Sequence, residues 1–426
     1  MFKTRTKTRL ALIMLGVASL LIFIGGLRAY RSATAPLHPD PGGVSSSTQS
    51  PPVPKWKEPV ERGRQLVRTT LGERNLPGLS VAVGVGGDIV WAEGFGWADL
   101  ETRAPVTPAT RFRIGTASTA LTSAAVGLLV DDGRLALDEP IKRYVPAFPE
   151  KPWPVTLRQV MGHVAGLATD GGDDGPLFRQ RCERPVDALP EFAGGELLFE
   201  PGTQYRYSKY GWIVVSAAVE AAADQPFQAF MRERIFQPLG MEDTYAESTK
   251  EENPDHVGEP GEDAPPITFV REMILEPLGI VDPKAVPATS NRATFYVPRS
   301  GADPRHGQQV MRPHNLSCYA GSMAFLSTPS DLVRFGMAVH GGKLLRPDTV
   351  RQLQTSPRLA SGTETGHGLG GDLGLDGDLR GGRVATLVTL PEQGIVVSVT
   401  SNISHADTAS IAQGIAQAFA EQGARR

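Results

Sequence analysis

The chain has 426 residues, 40% of them hydrophobic, enough to bury a large core in one big domain or two ordinary ones. Its 43 lysines and arginines stand against 46 aspartates and glutamates, a formal net charge of −3 that offers no basic surface for nucleic acid. Two cysteines, Cys182 and Cys318, match no metal or redox spacing; they are buried or loop thiols, or a disulfide if the compartment is oxidising and the fold brings them together.

In chain order, Lys3, Arg5, Lys7 and Arg9 precede an uncharged run from Leu10 to Leu27, near the length that crosses a hydrocarbon core. A cleaved signal peptide has a shorter apolar stretch ending at a small-x-small site, whereas this run stops at Gly25-Gly26 and then Arg28. Residues 1–31 therefore read as a retained signal anchor, transmembrane over about 10–27. The charge asymmetry places its start in the cytoplasm and the rest on the periplasmic side of the inner membrane. Residues 32–55, rich in Pro, Ser and Gly, read as an extended tether before a domain spanning 56–424.

Helical apolar spacing marks "EPVERGRQLVRTTLGERN", and two β-rich runs about Gly86-Gly87-Asp88 mark a hairpin. "RVATLVTLPEQGIVVSVTSN" repeats the hairpin design near the end, followed by an Ala-rich helix. Hairpins at both ends with helices between them predict one α+β unit whose antiparallel sheet joins early and late strands. Within the helical middle, "RERIFQPLGM" (232–241) is echoed by "REMILEPLGI" (271–280), the two separated by an acidic loop within an inserted region of about 245–290. Two copies fall short of a solenoid.

Four stretches then carry a resemblance. They are "RFRIGTASTALTSAAVGLL", "VTLRQVMGHVAGL", "FEPGTQYRYSKYGWIVVSAAVE" with "IFQPLGMEDT", and "YAGSMAFLSTPSDLVRFG". In order and spacing they resemble the serine β-lactamase and penicillin-binding-protein superfamily, in the branch of class C β-lactamases, D-Ala-D-Ala carboxypeptidases and mitochondrial lactamase-like proteins. The resemblance covers nearly everything after the tether and implies an antiparallel sheet flanked by helices, plus a mostly helical subdomain.

The chemistry that the resemblance implies needs a serine with a lysine one turn later, a Tyr-x-Asn loop, and a Lys/His-Thr/Ser-Gly strand. This sequence departs from each. Thr116 stands at the serine position and Thr119 at the lysine position; Tyr207 survives, but Lys209 replaces the Asn. The strand motif falls on Leu375-Asp376-Gly377, with only the glycine kept. Thr119 cannot act as a base because its hydroxyl stays protonated, and Thr116 alone reads as a helix N-cap.

Two functions follow. The first is a pseudoenzyme or weak hydrolase whose cleft binds a peptide, cell-wall fragment or partner, with Thr119, Asp376, Gly377 and Asp378 lining it. The second is an acyl hydrolase with Thr116 as nucleophile, Lys209 as base and Tyr207 as proton relay, if residues 207 and 209 face the same way from an extended loop. A lysine held by Asp376 or Asp378 is the competing reading of Lys209. The resemblance implies no cofactor. The acidic run "TDGGDDG" (169–175) lacks the ligand spacing of a calcium loop, and His163 and His367 have no serine or cysteine at triad spacing. The only partners expected are the cleft ligand and, through the N-terminal helix, the membrane.

Overall fold

The computed structural model describes the chain except residues 1–13, 15, 17, 18, 21, 22, 29, 32, 33, 170–174, 248–290, 299–306, 312, 313, 371–378, 382, 383, 425 and 426. Its centre is a six-stranded antiparallel sheet in the order β1-β3-β2-β11-β10-β9. These strands are β1 (Ser46–Thr48), β2 (Gly78–Val85), β3 (Asp88–Gly96), β9 (Leu379–Gly381), β10 (Ala385–Leu390) and β11 (Ile395–Ser401). β2 pairs with β11 across more than 300 residues of sequence, with Val81 opposite Val399 and Val83 opposite Val397, so the early and late hairpins form one sheet, as the α+β reading requires. Two smaller sheets accompany it: β4 (Phe112–Arg113), β8 (Phe325–Ser327) and β5 (Tyr245–Ala246), and the pair β6 (Tyr296–Pro298) and β7 (Gln308–Val310).

Side chains alternate across the large sheet, which gives it two cores. Val81, Val83, Val397 and Val399 face α1 (Lys57–Glu73) and the C-terminal helix Thr408–Ala424, packing with Val60, Val67, Ile411 and Phe419. Ala82, Leu387 and Val396 face the other way, into a larger core shared with α2 (Ser118–Asp131), α3 (Lys209–Ala223) and α4 (Pro329–His340). Every residue of α2 from Ser118 to Leu129 is buried, which explains its run of Ser, Thr, Ala and Gly: neighbours press on it from all sides. Its hydroxyls are met inside, Thr122 Oγ1 donating to the Ser118 carbonyl at 3.1 Å and lying 2.8 Å from that of Gly321.

The segment read as a tether is part of the domain from Leu37 onward. The Leu37 N–H donates to Asn75 Oδ1 at 2.7 Å, buried His38 donates through Nε2 to the Leu76 carbonyl at 3.0 Å, and Val44 is buried. β1 then covers the free edge of β3, Ser46 opposite Phe95. The physical reason is the edge itself: unpaired N–H and C=O groups accept a short strand, and "SST" supplies one despite its loop-like composition. At the N-terminus, the described helical residues run on through Arg28 and Arg31, so charge closes their apolar stretch. Among the described residues no helix is long and apolar enough to cross a membrane, and the span expected at about 10–27 finds no support there.

Cys182 and Cys318 form a disulfide, with Cα atoms 4.8 Å apart and a sequence separation of 136. It ties the segment after the Pro176–Phe178 turn to the Ser317–Tyr319 turn, a pairing that the sequence left open. The duplicated segment 271–280, the acidic stretch before it and most of the 169–175 run lie outside the described residues.

Candidate active site

The chain enters α2 through a single 3₁₀ turn, Gly115–Ala117, with Gly115 at φ +56°, a left-handed conformation that glycine adopts at little cost. Thr116 sits half-buried in this turn. It is not the helix cap: Ala117 precedes the first residue of α2, and no side chain caps that end. The 3₁₀ turn continues directly into the helix, so its own backbone geometry takes over the task that the sequence assigned to the Thr116 hydroxyl.

Thr119, at the lysine position of the resembled motif, is buried and turned inward. Its Oγ1 donates to the Thr116 carbonyl at 2.8 Å and lies 3.5 Å from the Gly370 carbonyl. Ser118 is fully buried, its Oγ accepting the Phe325 N–H at 3.3 Å, which removes it as an alternative nucleophile.

Ser208 caps α3, accepting the Gly211 N–H at 3.2 Å and donating to the Ala168 carbonyl at 2.6 Å. Lys209 is consequently the first residue of a helix rather than part of an extended loop, and the alternation expected to align residues 207 and 209 stops at the cap. The Lys209 ammonium lies 5.8 Å from the ring centre of Phe178, a cation–π contact. Phe178 stacks on Tyr319 at 4.5 Å, within the disulfide-tied segment. Nothing in the sequence around "GPLFRQ" marks this ring as a partner of Lys209; only the fold brings them together.

Tyr207 turns its ring against His163, centroids 4.5 Å apart, and its hydroxyl is buried. His163 holds φ +59° in its turn, accepts the Ser208 N–H at Nδ1 at 3.2 Å, and has Trp212 Nε1 3.4 Å from its Nε2. Burial first, and the charge of His367 second, push its pKa down to about 4, so it is neutral at physiological pH. Tyr205 and His367 stack at 5.4 Å on the exposed side of this cluster.

The Gly115–Ala117 turn and the start of α3 both pack on the Ala320–Met323 helix, and Ser322 Oγ donates to the Lys209 carbonyl at 3.1 Å. The turn also packs on β9. The elements carrying Thr116, Tyr207 and Lys209 thus converge around one short helix. Among the described residues, however, no hydrogen bond joins the Thr116 hydroxyl to Tyr207 or Lys209. Asp376, Gly377 and Asp378, together with Leu375 and Arg383, lie outside the described residues, and of Arg380 only the backbone, in β9, is described. Among the described residues no group of His, Cys, Asp and Glu is placed to hold a metal. The arrangement presents a half-buried threonine hydroxyl, a phenol and an ammonium resting on an aromatic face. Among the described residues it offers Thr116 no hydrogen-bonded base.

A sheet flanked by helices, with a helix mouth facing a Tyr-x-x loop and an edge strand, is the architecture of the serine β-lactamase and penicillin-binding-protein superfamily. The family description "Beta-lactamase" matches residues 64–420, and the chain belongs to that family. Among curated relatives, it is 26% identical over 403 residues to "Serine beta-lactamase-like protein LACTB, mitochondrial" of Mus musculus, covering 74% of this chain and 65% of that one. It is 27% identical over 366 residues to the protein of the same name in Homo sapiens, covering 69% and 59%. The chain therefore spans less than two thirds of the length of these relatives. Among solved structures, "EstCE1, a hydrolase with promiscuous acyltransferase activity" is matched with a TM-score of 0.62 at 18% identity, over 85% of this chain and 98% of that one. The D-amino acid amidase of Ochrobactrum anthropi SV3 is matched with a TM-score of 0.62 at 20% identity, over 86% and 99%. At these identities the two structures share the fold.

Proposed function

We propose that this beta-lactamase-family domain binds a peptide or cell-wall fragment in its cleft and has lost acyl-enzyme turnover. The observation that carries the reading is the Thr119 hydroxyl, bonded to the Thr116 carbonyl where the chemistry needs a base. A hydroxyl there has no proton-accepting power at accessible pH, and Thr116 carries a methyl group that crowds attack in a site shaped for serine. The position of Lys209 adds support: it opens α3 instead of continuing the extended stretch from Tyr207, and among the described residues no hydrogen bond joins it to the Thr116 hydroxyl.

The experiment incubates the full chain with a fluorophosphonate, a penicillin and a p-nitrophenyl ester, following intact mass and product release, with Thr116→Ala and Lys209→Met alongside. The expected result is no adduct and no turnover in any of the three proteins. An adduct present in the wild type and lost in both variants overturns the reading in favour of a hydrolase using Thr116, Lys209 and Tyr207, a chemistry kept open by the hydrolases that share the fold.

We also place the domain outside the cytoplasm, anchored through the apolar run 10–27. The Cys182–Cys318 disulfide supports an oxidising compartment, and the cationic residues ahead of the run support the orientation. Fractionation with protease protection tests it: carbonate-resistant membrane association with an externally accessible domain is expected, and release into the soluble fraction rejects it.

A further inference from the structure

A cavity of about 470 Å³ opens between the Gly86-Gly87 turn joining β2 to β3, the turn joining β10 to β11, and the C-terminal end of α4. That volume lies in the range of small-molecule sites. Its floor is apolar, formed by residues such as Leu239, Met337 and Val396. Among the described residues that line it, the ionisable ones are Arg334, His340 and Lys343, and none is acidic.

The polar ends at this rim are largely unspent. Arg334 gives Nη1 to buried Asp331 at 2.7 Å. Lys343 is exposed and, among the described residues, makes no ion pair. His340 is half-buried and, among the described residues, makes no hydrogen bond; burial lowers its pKa, so it stays neutral and free to donate. The negative pole of α4 is muted, because the N–H groups of Gly341, Gly342 and Lys343 take the carbonyls of Met337, Val339 and Ala338. An apolar floor under a rim with cations and no carboxylate is complementary to one kind of ligand.

We propose that this cavity binds a free amphipathic monocarboxylic acid, its apolar body against Leu239, Met337 and Val396 and its carboxylate at Lys343, His340 and Arg334. This site is separate from the candidate active site and independent of whether the latter turns over. Two rim donors that have no side-chain partner among the described residues supply the hydrogen bonds that a carboxylate loses on leaving water, and charge-assisted bonds of this type are the strong ones.

The test uses the full chain and a fluorescent dansyl-undecanoic acid, displaced by dodecanoate or by dodecanol at concentrations below micelle formation. Dodecanoate is expected to displace the probe at a concentration about tenfold below that of dodecanol, the difference of one charge-assisted interaction. Lys343→Glu, on an exposed side chain, is expected to erase that preference while leaving dodecanol binding and thermal stability unchanged. Leu239→Trp, which fills the floor, is expected to weaken both ligands. Equal displacement by acid and alcohol overturns the proposal. So does a Lys343→Glu protein that retains the preference for the acid, or a folded Leu239→Trp protein that binds both ligands as the wild type does.

Discussion

The Thr119 hydroxyl donates to the Thr116 carbonyl oxygen at 2.8 Å, closing the mouth of α2 upon itself. The position from which the family's lysine addresses its serine is here occupied by a local side-chain to backbone bond. Thr119→Val keeps the shape and deletes the bond. A loss of about 1 kcal/mol is expected in urea denaturation, with no appearance or loss of esterase signal. If ester hydrolysis instead falls with the substitution, Thr119 has a chemical role that its geometry does not explain.

His163 carries the clearest pH signature. Its pKa falls from 6.5 in the unfolded chain to about 4 in the folded one, because protonation would place an unsolvated charge in the core. Between those two values the unfolded state binds a proton that the folded state refuses. Stability therefore drops as pH falls through this window and is fully present above 6.5. The whole effect is on the order of 3 kcal/mol. His163→Asn, which tolerates the left-handed backbone, should flatten this part of the profile relative to the wild type; parallel profiles at pH 7 and pH 4.5 would contradict the assignment.

The Cys182–Cys318 bond closes a loop across 136 residues of sequence that contains the capped start of α3, and the stacked pair Phe178 and Tyr319 flanks its two ends. Constraining the unfolded chain over such a length is worth roughly 2–5 kcal/mol. Cys182→Ala with Cys318→Ala should lower the melting temperature by several degrees, and a reducing agent should do the same to the wild type only. A reductant-insensitive melting curve for the wild type would show the thiols unpaired.

The strap from Leu37 to Thr48 makes its own prediction. A chain starting at Trp56 loses β1, the buried Val44, and the His38 bonds to the Leu76 and Pro77 carbonyls. Together these amount to about 2 kcal/mol, and the exposed edge of β3 should promote self-association. Denaturation and sedimentation of the two lengths compare them directly. Equal stability and equal monomer content would mean that the strap adds nothing.

Much of the fold was legible in the chain. Period-2 apolar runs around Gly86-Gly87 and Gly394 announced the two hairpins, and the ordered motifs from "RFRIGTAS" to "YAGSMAF" announced the family. Their signals are local: alternation, turn glycines and motif spacing are all written within a few residues. The sequence by itself also determined that Thr119 replaces the family's base, since that is a matter of residue type at a spacing.

Tertiary structure decided the rest, wherever the answer depended on residues distant in sequence. Lys209 became the first residue of α3 because Ser208 caps it, and its ammonium met Phe178, 31 positions earlier, through packing around a disulfide. The Pro-, Ser- and Gly-rich segment looked like a tether because composition reports the absence of a core-forming pattern, not the presence of a sheet edge needing a strand. His163 lost its basicity only because the fold buried it beneath Tyr207 and Trp212. Each of these outcomes rests on long-range burial and on the satisfaction of backbone polar groups by partners far along the chain, and neither is encoded in any window of neighbouring residues.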